Sequence, residues 1–188
     1  MNNVFILVSG KAGVGKTTLS KLLVDIITNS GNFTTILPIA TGVKKCATDY
    51  FNWDGNKDSN GRKLLQGIGV IGRAYDPDTW IKYLLDTVPT WIDKDDVIIC
   101  DDWRFENEAL YLEKYSYKVF RIRVNAPSRE SLKNTPEYND ISETSLPNEA
   151  NPIFYDAFID NEGSLEELGF VAQALSTEIL NQFLTEEV

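Results

Sequence analysis

The sequence predicts an α/β fold in which a parallel five-stranded sheet lies between two layers of helices. Short unbroken apolar runs, such as residues 4–8 and 97–100, are typical of parallel strands buried on both faces. Between these runs lie longer segments whose apolar residues recur at helical spacing. Alternation of strands and helices is typical of parallel sheets, whose ligands bind beyond the carboxyl ends of the strands.

The elements can be assigned in order. The first strand leads into a glycine-rich loop and a helix that ends near residues 29–31. Asp76-Pro77 is a typical helix start, with the aspartate as N-cap, and Ser164 with Glu167 has the spacing of a capping box. Further strands are predicted at residues 34–39, 97–100, 118–124 and 157–159. Further helices are predicted at residues 43–51, 61–73, 77–88, 105–115 and 164–184.

Length and composition fit one domain over residues 1–188. The apolar fraction is 43% and the charged fraction 24%, which is typical of a globular protein that buries a core without disulfides. No apolar run approaches the length of a transmembrane helix, and residues 1–10 lack the basic start of a signal peptide. We therefore expect a cytoplasmic protein (host cytoplasm, if the chain is viral) with no membrane partner.

The residue types exclude several kinds of chemistry. The chain has no histidine, and its two cysteines, Cys46 and Cys100, lie far apart. This argues against zinc sites, Cys–His nucleophiles and Ser–His–Asp triads. Cys100 ends an apolar run, so we expect a buried thiol.

Charge is distributed unevenly. The net charge of −10 argues against binding of a nucleic-acid polymer. Residues 134–188 nevertheless contain no Lys or Arg, and every Arg lies between Arg62 and Arg129. A small anionic ligand would explain why the cations gather in one part of the chain, and a solvated acidic C-terminal helix would give the same pattern.

The glycine-rich loop matches the phosphate-binding pattern G-x-x-x-x-G-K-[ST] at every fixed position, between a strand and a helix. Glycines allow backbone N–H groups to surround a phosphate, and the helix N-terminus adds positive charge. Lys16 would bind the β- and γ-phosphates of ATP, and the Thr17 hydroxyl would ligate Mg²⁺. The predicted nucleotide-binding residues are Gly10, Lys11, Ala12, Gly13, Val14, Gly15, Lys16, Thr17 and Thr18.

A GTPase would also need a base-reading N-K-x-D motif. Residues 56–59 begin like one but end in Ser59, lie early in the chain and follow no strand. We interpret them as part of a polar turn over residues 53–60.

Three charged residues follow the strand at residues 97–100. A carboxylate at this position can hold Mg²⁺ opposite the phosphate loop. Because the side chains of Asp101 and Asp102 should point to opposite sides, we assign Asp102 to the site and Asp101 to a cap or turn. Arg104 can face the same crevice.

The helix at residues 61–73 has an unusual polar face. Arg62, Gln66, Gly69 and Arg73 fall within an arc of about 60°. Leu64, Leu65, Ile68 and Ile71 are expected on the opposite side, against the core. Because each glycine costs a helix roughly 1 kcal/mol, Gly69 suggests a close approach of a ligand, which the arginines and glutamine would bind. An ordinary solvated face is the alternative.

Three further residues are candidates. Lys44 follows the second strand and either meets an anion or is an exposed lysine. Trp80 either stacks on a base or packs in the core. Arg129 lies in the segment at residues 126–152, which contains four prolines, and would either close on transferring phosphates or form a surface salt bridge.

The sequence resembles the bacteriophage-type deoxynucleoside monophosphate kinases of the P-loop nucleoside monophosphate kinase superfamily. The matching segments span nearly the whole chain in the expected order. They are GKAGVGKTT at 10–18, IATGVK at 39–44, GRKLLQGIG at 61–69, DWRFENE at 102–108, SET at 142–144 and IDNEGSLEEL at 159–168. Two positions depart from the pattern: Ile141 stands where related proteins often carry histidine, and Trp103 replaces a small apolar residue.

The resemblance implies an ATP- and Mg²⁺-dependent kinase that forms a diphosphate from a (deoxy)nucleoside monophosphate. It implies a P-loop NTPase fold with a helical acceptor-binding insertion at about 41–90 and a short lid at about 126–150. Lys16, Asp102, Arg104 and Arg129 would be catalytic, and Thr17 and Asp102 would hold the metal. Lys44, Arg62, Gln66, Gly69, Arg73 and Trp80 would bind the acceptor.

Other functions remain open at this point. A kinase of another phosphorylated small molecule, of the phosphomevalonate or dephospho-coenzyme A type, shares these features. A regulatory ATPase without an acceptor is the second alternative. We expect small nucleotides as partners, and either a monomer or a homodimer.

Overall fold

The computed structural model describes residues 3–90, 92–93, 96–147, 150 and 153–183. They form one five-stranded sheet in the order β2-β3-β1-β4-β5, and every neighbouring pair is parallel. The strands are β1 (Val4–Ser9), β2 (Thr34–Ile36), β3 (Val97–Cys100), β4 (Lys118–Asn125) and β5 (Ala157–Asp160). All five predicted strands are confirmed, and β2 ends earlier than expected, before Pro38.

The predicted helices occur in the predicted order. The helices are α1 (Lys16–Asn29), α2 (Thr41–Phe51), α3 (Ser59–Tyr75), α4 (Thr79–Thr87), α5 (Glu106–Lys114), α6 (Ile141–Thr144) and α7 (Leu165–Phe183). Of these, α6 is an additional helix that was not predicted. A short 3-10 helix covers Pro136–Asn139. The capping box of α7 is confirmed, since Ser164 N donates to Glu167 Oε2 at 2.6 Å and Glu167 N donates to Ser164 Oγ at 3.2 Å. Residue 184, where we predicted the end of this helix, lies outside the described residues.

The start of α4 differs from the prediction. Asp76 ends α3, because a residue before proline disfavours the helical conformation and Asp76 is extended (φ −149°, ψ 119°). Its carboxylate accepts a hydrogen bond from the Asp78 backbone at 3.0 Å. Asp78 is therefore the N-cap residue, and α4 starts at Thr79.

Successive residues of β1 pack to opposite sides of the sheet, which confirms helices on both faces. Val4, Ile6 and Val8 pack with α1 and α7, while Phe5 and Leu7 pack with α4 and α5. Cys100 is buried in the second cluster, as expected, and burial raises the pKa of its thiol. Among the described residues, no helix has the length and apolar character needed to cross a membrane.

Candidate active site

The phosphate loop lies at the carboxyl end of β1, in the centre of the sheet. Gly13 and Gly15 adopt φ values of 93° and 99°, which other residues rarely adopt. A Cβ atom at Gly13 would lie 2.4 Å from the Arg129 carbonyl oxygen. The loop is held from outside, because Asn161 Nδ2 donates to the Val14 carbonyl at 2.8 Å and Ser131 N donates to the Ala12 carbonyl at 2.9 Å. This backbone fits a cradle for phosphate oxygens at the start of α1.

Lys16 is the cation of this cradle. Its ammonium group donates to the carbonyl oxygens of Gly10 at 2.7 Å and Lys11 at 2.8 Å. Burial, and next the positive charge of Arg104, lower the pKa of Lys16 to about 7. A phosphate beside Lys16 would favour its charged form.

The two aspartates after β3 have hydrogen-bond partners that differ from our expectation. Thr17 Oγ1 donates to Asp101 Oδ2 at 2.8 Å, so Asp101 lies beside the predicted magnesium ligand. Asp102 instead accepts hydrogen bonds from the backbone N–H groups of Ile39 at 2.7 Å and Ala40 at 3.1 Å. Burial raises the pKa of Asp102. The reason is geometric: successive residues point to opposite sides, and the side facing Thr17 belongs to Asp101.

Arg104 lies in the same cavity, as predicted, on a turn fixed by neighbouring residues. Trp103 is buried in the core, which explains how a large residue is accommodated at this position. The Glu108 carboxylate accepts the backbone N–H groups of Arg104 and Phe105, both at 3.1 Å. Burial raises the pKa of Glu108 to about 7. The Arg104 side chain forms an ion pair of 2.8 Å with Glu143, and it donates to the Ser142 carbonyl at 3.0 Å.

One cavity of about 670 Å³ joins the phosphate loop to α2, α3 and α4. Every predicted acceptor-binding residue lines it, together with Asp101, Asp102 and Arg104. These acceptor-binding residues are Lys44, Arg62, Gln66, Gly69, Arg73 and Trp80. The structure therefore brings both predicted halves of the site into one space, at the carboxyl end of the sheet.

Several cations of this cavity have no anionic partner within 4.0 Å in the part of the chain that the structure describes. Among the described residues, the side chains of Lys44, Lys57 and Arg62 form no hydrogen bond and no ion pair within 4.0 Å. Burial, and next the charge of Lys44, lower the pKa of Lys57. Three unpaired cations that repel each other are typical of a site for an anionic ligand.

Gly69 and Arg73 differ from the expected arrangement. The Arg73 guanidinium lies over the Phe105 ring, 4.1 Å from its centroid. It also fills the space beside Gly69, where an added Cβ would lie 3.2 Å from Arg73 Nη2. Gly69 thus makes room for Arg73 in this structure. The prediction that Ile71 packs in the core is wrong, because Ile71 is 72% exposed; Leu65 lines the cavity.

Trp80 joins the three helices that form the outer wall of the cavity. Its indole N–H donates to the Gly69 carbonyl at 3.1 Å. Cβ atoms at Gly72 and Gly42 would lie 2.4 Å and 3.0 Å from the indole, so α3 and α2 approach the ring closely. Trp80 also packs against Val43, Ala47 and Ile68, which means that it is both a core residue and a cavity wall.

Arg129 does not join the other predicted catalytic residues. Its guanidinium donates to the carbonyl oxygens of Glu162, at 3.0 Å, and Gly163. Arg129 is exposed and does not line the cavity that contains Arg104. The adjacent Ser128 N donates to Glu162 Oε1 at 2.9 Å, which fixes this segment against the loop after β5.

The charged and aromatic residues of the cavity wall that sequence reasoning missed include Lys57, Phe105, Glu108 and Glu143. Lys57 belongs to the polar turn, whose path into the cavity no local pattern reveals. Phe105 and Glu108 lie inside the DWRFENE segment, and Glu143 inside SET. Both segments belong to the motifs that match the family. Their acidic residues, Glu108 and Glu143, were therefore the signal that could have identified this part of the cavity wall.

Comparisons with known proteins support the fold. No family model matches the chain, and no curated protein matches its sequence. Shikimate kinase from Acinetobacter baumannii in complex with shikimate aligns over 98% of this chain and 96% of its own, at 16% identity and a TM-score of 0.50. A gluconokinase from Sinorhizobium meliloti 1021 aligns over 94% of this chain and 93% of its own, at 12% identity and a TM-score of 0.49. The chain therefore has the P-loop fold that it shares with shikimate kinase.

Proposed function

We propose that the protein transfers the γ-phosphoryl group of ATP to a (deoxy)nucleoside monophosphate, forming ADP and a (deoxy)nucleoside diphosphate. The observation that carries the proposal is the shared cavity, which places a phosphate loop and three unpaired cations in one space. The phosphate loop suits the donor triphosphate. Lys44, Lys57 and Arg62 suit an acceptor that carries its own phosphate, because unpaired cations in a partly buried site favour a strongly anionic ligand.

The residues present fit ATP with Mg²⁺. Thr17 and Asp101 would hold the metal ion, whose bound charge would neutralise the donor phosphates. Lys16 would bind the β- and γ-phosphates, and Arg104, which lines the same cavity, would lie between the donor and the acceptor. Phosphoryl transfer needs positioning and charge neutralisation more than covalent chemistry, so these side chains suffice.

The acceptor would occupy the part of the cavity formed by residues 41–90. Gln66 offers a donor and an acceptor for a base edge, and Trp80 and Phe105 offer aromatic surface. The segment at residues 126–150 would form the lid, which excludes water as a competing acceptor. Its residues 131, 142 and 143 already line the cavity.

Release of ADP from ATP and Mg²⁺ tests the proposal. The acceptor panel contains ribo- and deoxyribonucleoside monophosphates, phosphomevalonate, dephospho-coenzyme A, shikimate, gluconate and water alone. We expect nucleoside monophosphates to stimulate ADP release, and their ranking gives the base and sugar preference. Stimulation by another acceptor alone would replace the proposed substrate, and a rate that no acceptor changes would indicate an ATPase.

Lys16→Ala provides the inactive reference for this panel. We expect kcat to fall by at least about 100-fold, because a preorganised charge in a transition state contributes roughly 3 kcal/mol. Lys21→Ala is the matched control, since Lys21 is an exposed residue of the same helix. A near-normal kcat in Lys16→Ala would contradict the assignment of the phosphate loop.

A further inference from the structure

Glu143 is an acidic residue in the most cationic part of the molecule. It belongs to α6, in the segment that covers the cavity, and it lines the cavity beside Arg104. Its side chain is only 7% exposed. A buried carboxylate at a site for polyanions requires an explanation, because it repels the phosphates that the site would bind.

The two carboxylate oxygens of Glu143 have different surroundings. Oε1 forms the ion pair of 2.8 Å with Arg104 Nη2. Oε2 is buried and has no hydrogen-bond partner among the described residues. A structural ion pair in a folded core normally satisfies both oxygens. Glu143 thus pairs through only one of its two oxygens, although Lys and Arg residues line the same cavity.

The charge of Glu143 acts on three cations besides Arg104. It raises the pKa of Lys11, Lys16 and Arg123, opposing the burial that lowers each of them. Other anions act on the same cations, since Asp101 raises the pKa of Lys16 and Glu130 raises that of Lys11. Glu143 is the only one of these three anions that is paired with Arg104.

Resting on the proposed function, we propose that Glu143 is an internal counter-ion that occupies the phosphate site and that substrate phosphates displace from Arg104. Carboxylate and phosphate oxygens both accept hydrogen bonds from guanidinium N–H groups, so a phosphate competes with Glu143 for Arg104 Nη2. A triphosphate bound at Arg104 Nη2 would take the donor that pairs with Glu143, and its negative charge would repel the Glu143 carboxylate. Displacement removes the ion pair that links α6 to Arg104 and leaves the hydrogen bond from Arg104 Nη1 to the Ser142 carbonyl as the remaining side-chain link.

Binding of inorganic tripolyphosphate tests this proposal without a turnover assay. Calorimetry at low ionic strength compares the wild-type protein with Glu143→Gln, which removes the charge and keeps the shape. We expect Kd to fall by at least about fivefold in the variant, since a competing anion has been removed. Glu106→Gln is the matched control, because Glu106 is an exposed acidic residue close to Arg104 in sequence; its Kd should stay within about twofold.

An unchanged or higher Kd in Glu143→Gln would overturn the proposal, and so would an absence of binding to both proteins. Glu143→Ala should change Kd in the same direction, which keeps the test informative if one variant folds poorly. The acceptor panel is a separate measurement. If nucleoside monophosphates fail there while Glu143→Gln still binds tripolyphosphate more tightly, the proposed function fails and the counter-ion role stands.

Discussion

Thr17 donates a hydrogen bond of 2.8 Å to Asp101, which joins the start of α1 to the end of β3. This contact places the Asp101 carboxylate beside the hydroxyl that we propose as a magnesium ligand. Asp102, its neighbour in sequence, binds two backbone N–H groups after β2. The two aspartates should therefore respond differently to the same substitution.

Asp101→Asn should raise the Mg²⁺ concentration for half-maximal activity by about tenfold, because a charged ligand or outer-sphere partner is lost. Asp102→Asn should instead lower the free energy of unfolding by about 1–3 kcal/mol, since an amide cannot accept both backbone N–H groups as a carboxylate does. Magnesium titration of activity and denaturant unfolding of both variants check this. A Mg²⁺ effect confined to Asp102→Asn would restore our original assignment.

Glu108→Gln should change how stability depends on pH. The pKa of Glu108 is raised to about 7 by burial, so the folded protein binds a proton between pH 4.5 and 7 more strongly than the unfolded chain. The stability that this stronger proton binding contributes is fully present below pH 4.5, and it is lost as the pH rises through 7. The unfolding free energy of Glu108→Gln relative to wild type should therefore increase from pH 5 to pH 8, by roughly 1–3 kcal/mol. A difference that is the same at both pH values would contradict the raised pKa.

Lys57→Gln should raise the KM for the acceptor by about five- to tenfold and leave the KM for ATP unchanged. A charge-assisted hydrogen bond to a phosphate contributes about 1–1.5 kcal/mol more than a neutral one, which corresponds to this factor. Lys63→Gln is the control, because Lys63 is an exposed residue that does not line the cavity. Steady-state kinetics with each substrate varied separately distinguish the two. Equal effects of both variants would show that only the overall charge matters.

The sequence predicted the sheet and the phosphate loop because both depend on local patterns. Val4–Ser9 is an unbroken buried run, and the loop glycines occupy positions where only glycine fits well. The choice between Asp101 and Asp102 depended instead on which side of the chain faces α1 at the end of β3. Which of two successive side chains faces α1 is decided by tertiary packing, and a sequence pattern does not reveal it.

Contacts between distant segments limited the rest of the site prediction. Arg129 was expected at the transferring phosphates, but its guanidinium binds carbonyl oxygens in the loop after β5. Gly69 was assigned to ligand contact, although it accommodates Arg73, and Gly72 of the same helix accommodates Trp80. Lys57 enters the cavity on a turn fixed by a hydrogen bond of 2.8 Å from Trp53 Nε1 to the Asn56 carbonyl. The placements of Arg129 and Lys57 thus depend on a partner that is far away in sequence or on irregular backbone, and that of Arg73 depends on the direction its side chain takes.

Gly72 and Gly67 of α3 should respond in opposite directions to substitution by alanine. A Cβ at Gly72 would lie 2.4 Å from the Trp80 indole, whereas nothing lies within 4 Å of a Cβ at Gly67. Gly72→Ala should therefore destabilise the protein by about 1–3 kcal/mol, since the added methyl forces the ring to move. Gly67→Ala should stabilise it by about 0.5–1 kcal/mol, because alanine favours the helix. Chemical denaturation of the two variants measures both effects.

Because Trp80 also forms a wall of the cavity, Gly72→Ala should in addition raise the acceptor KM, which Gly67→Ala leaves unchanged. Stabilisation by Gly72→Ala would show that the indole does not hold α3 and α4 together as described.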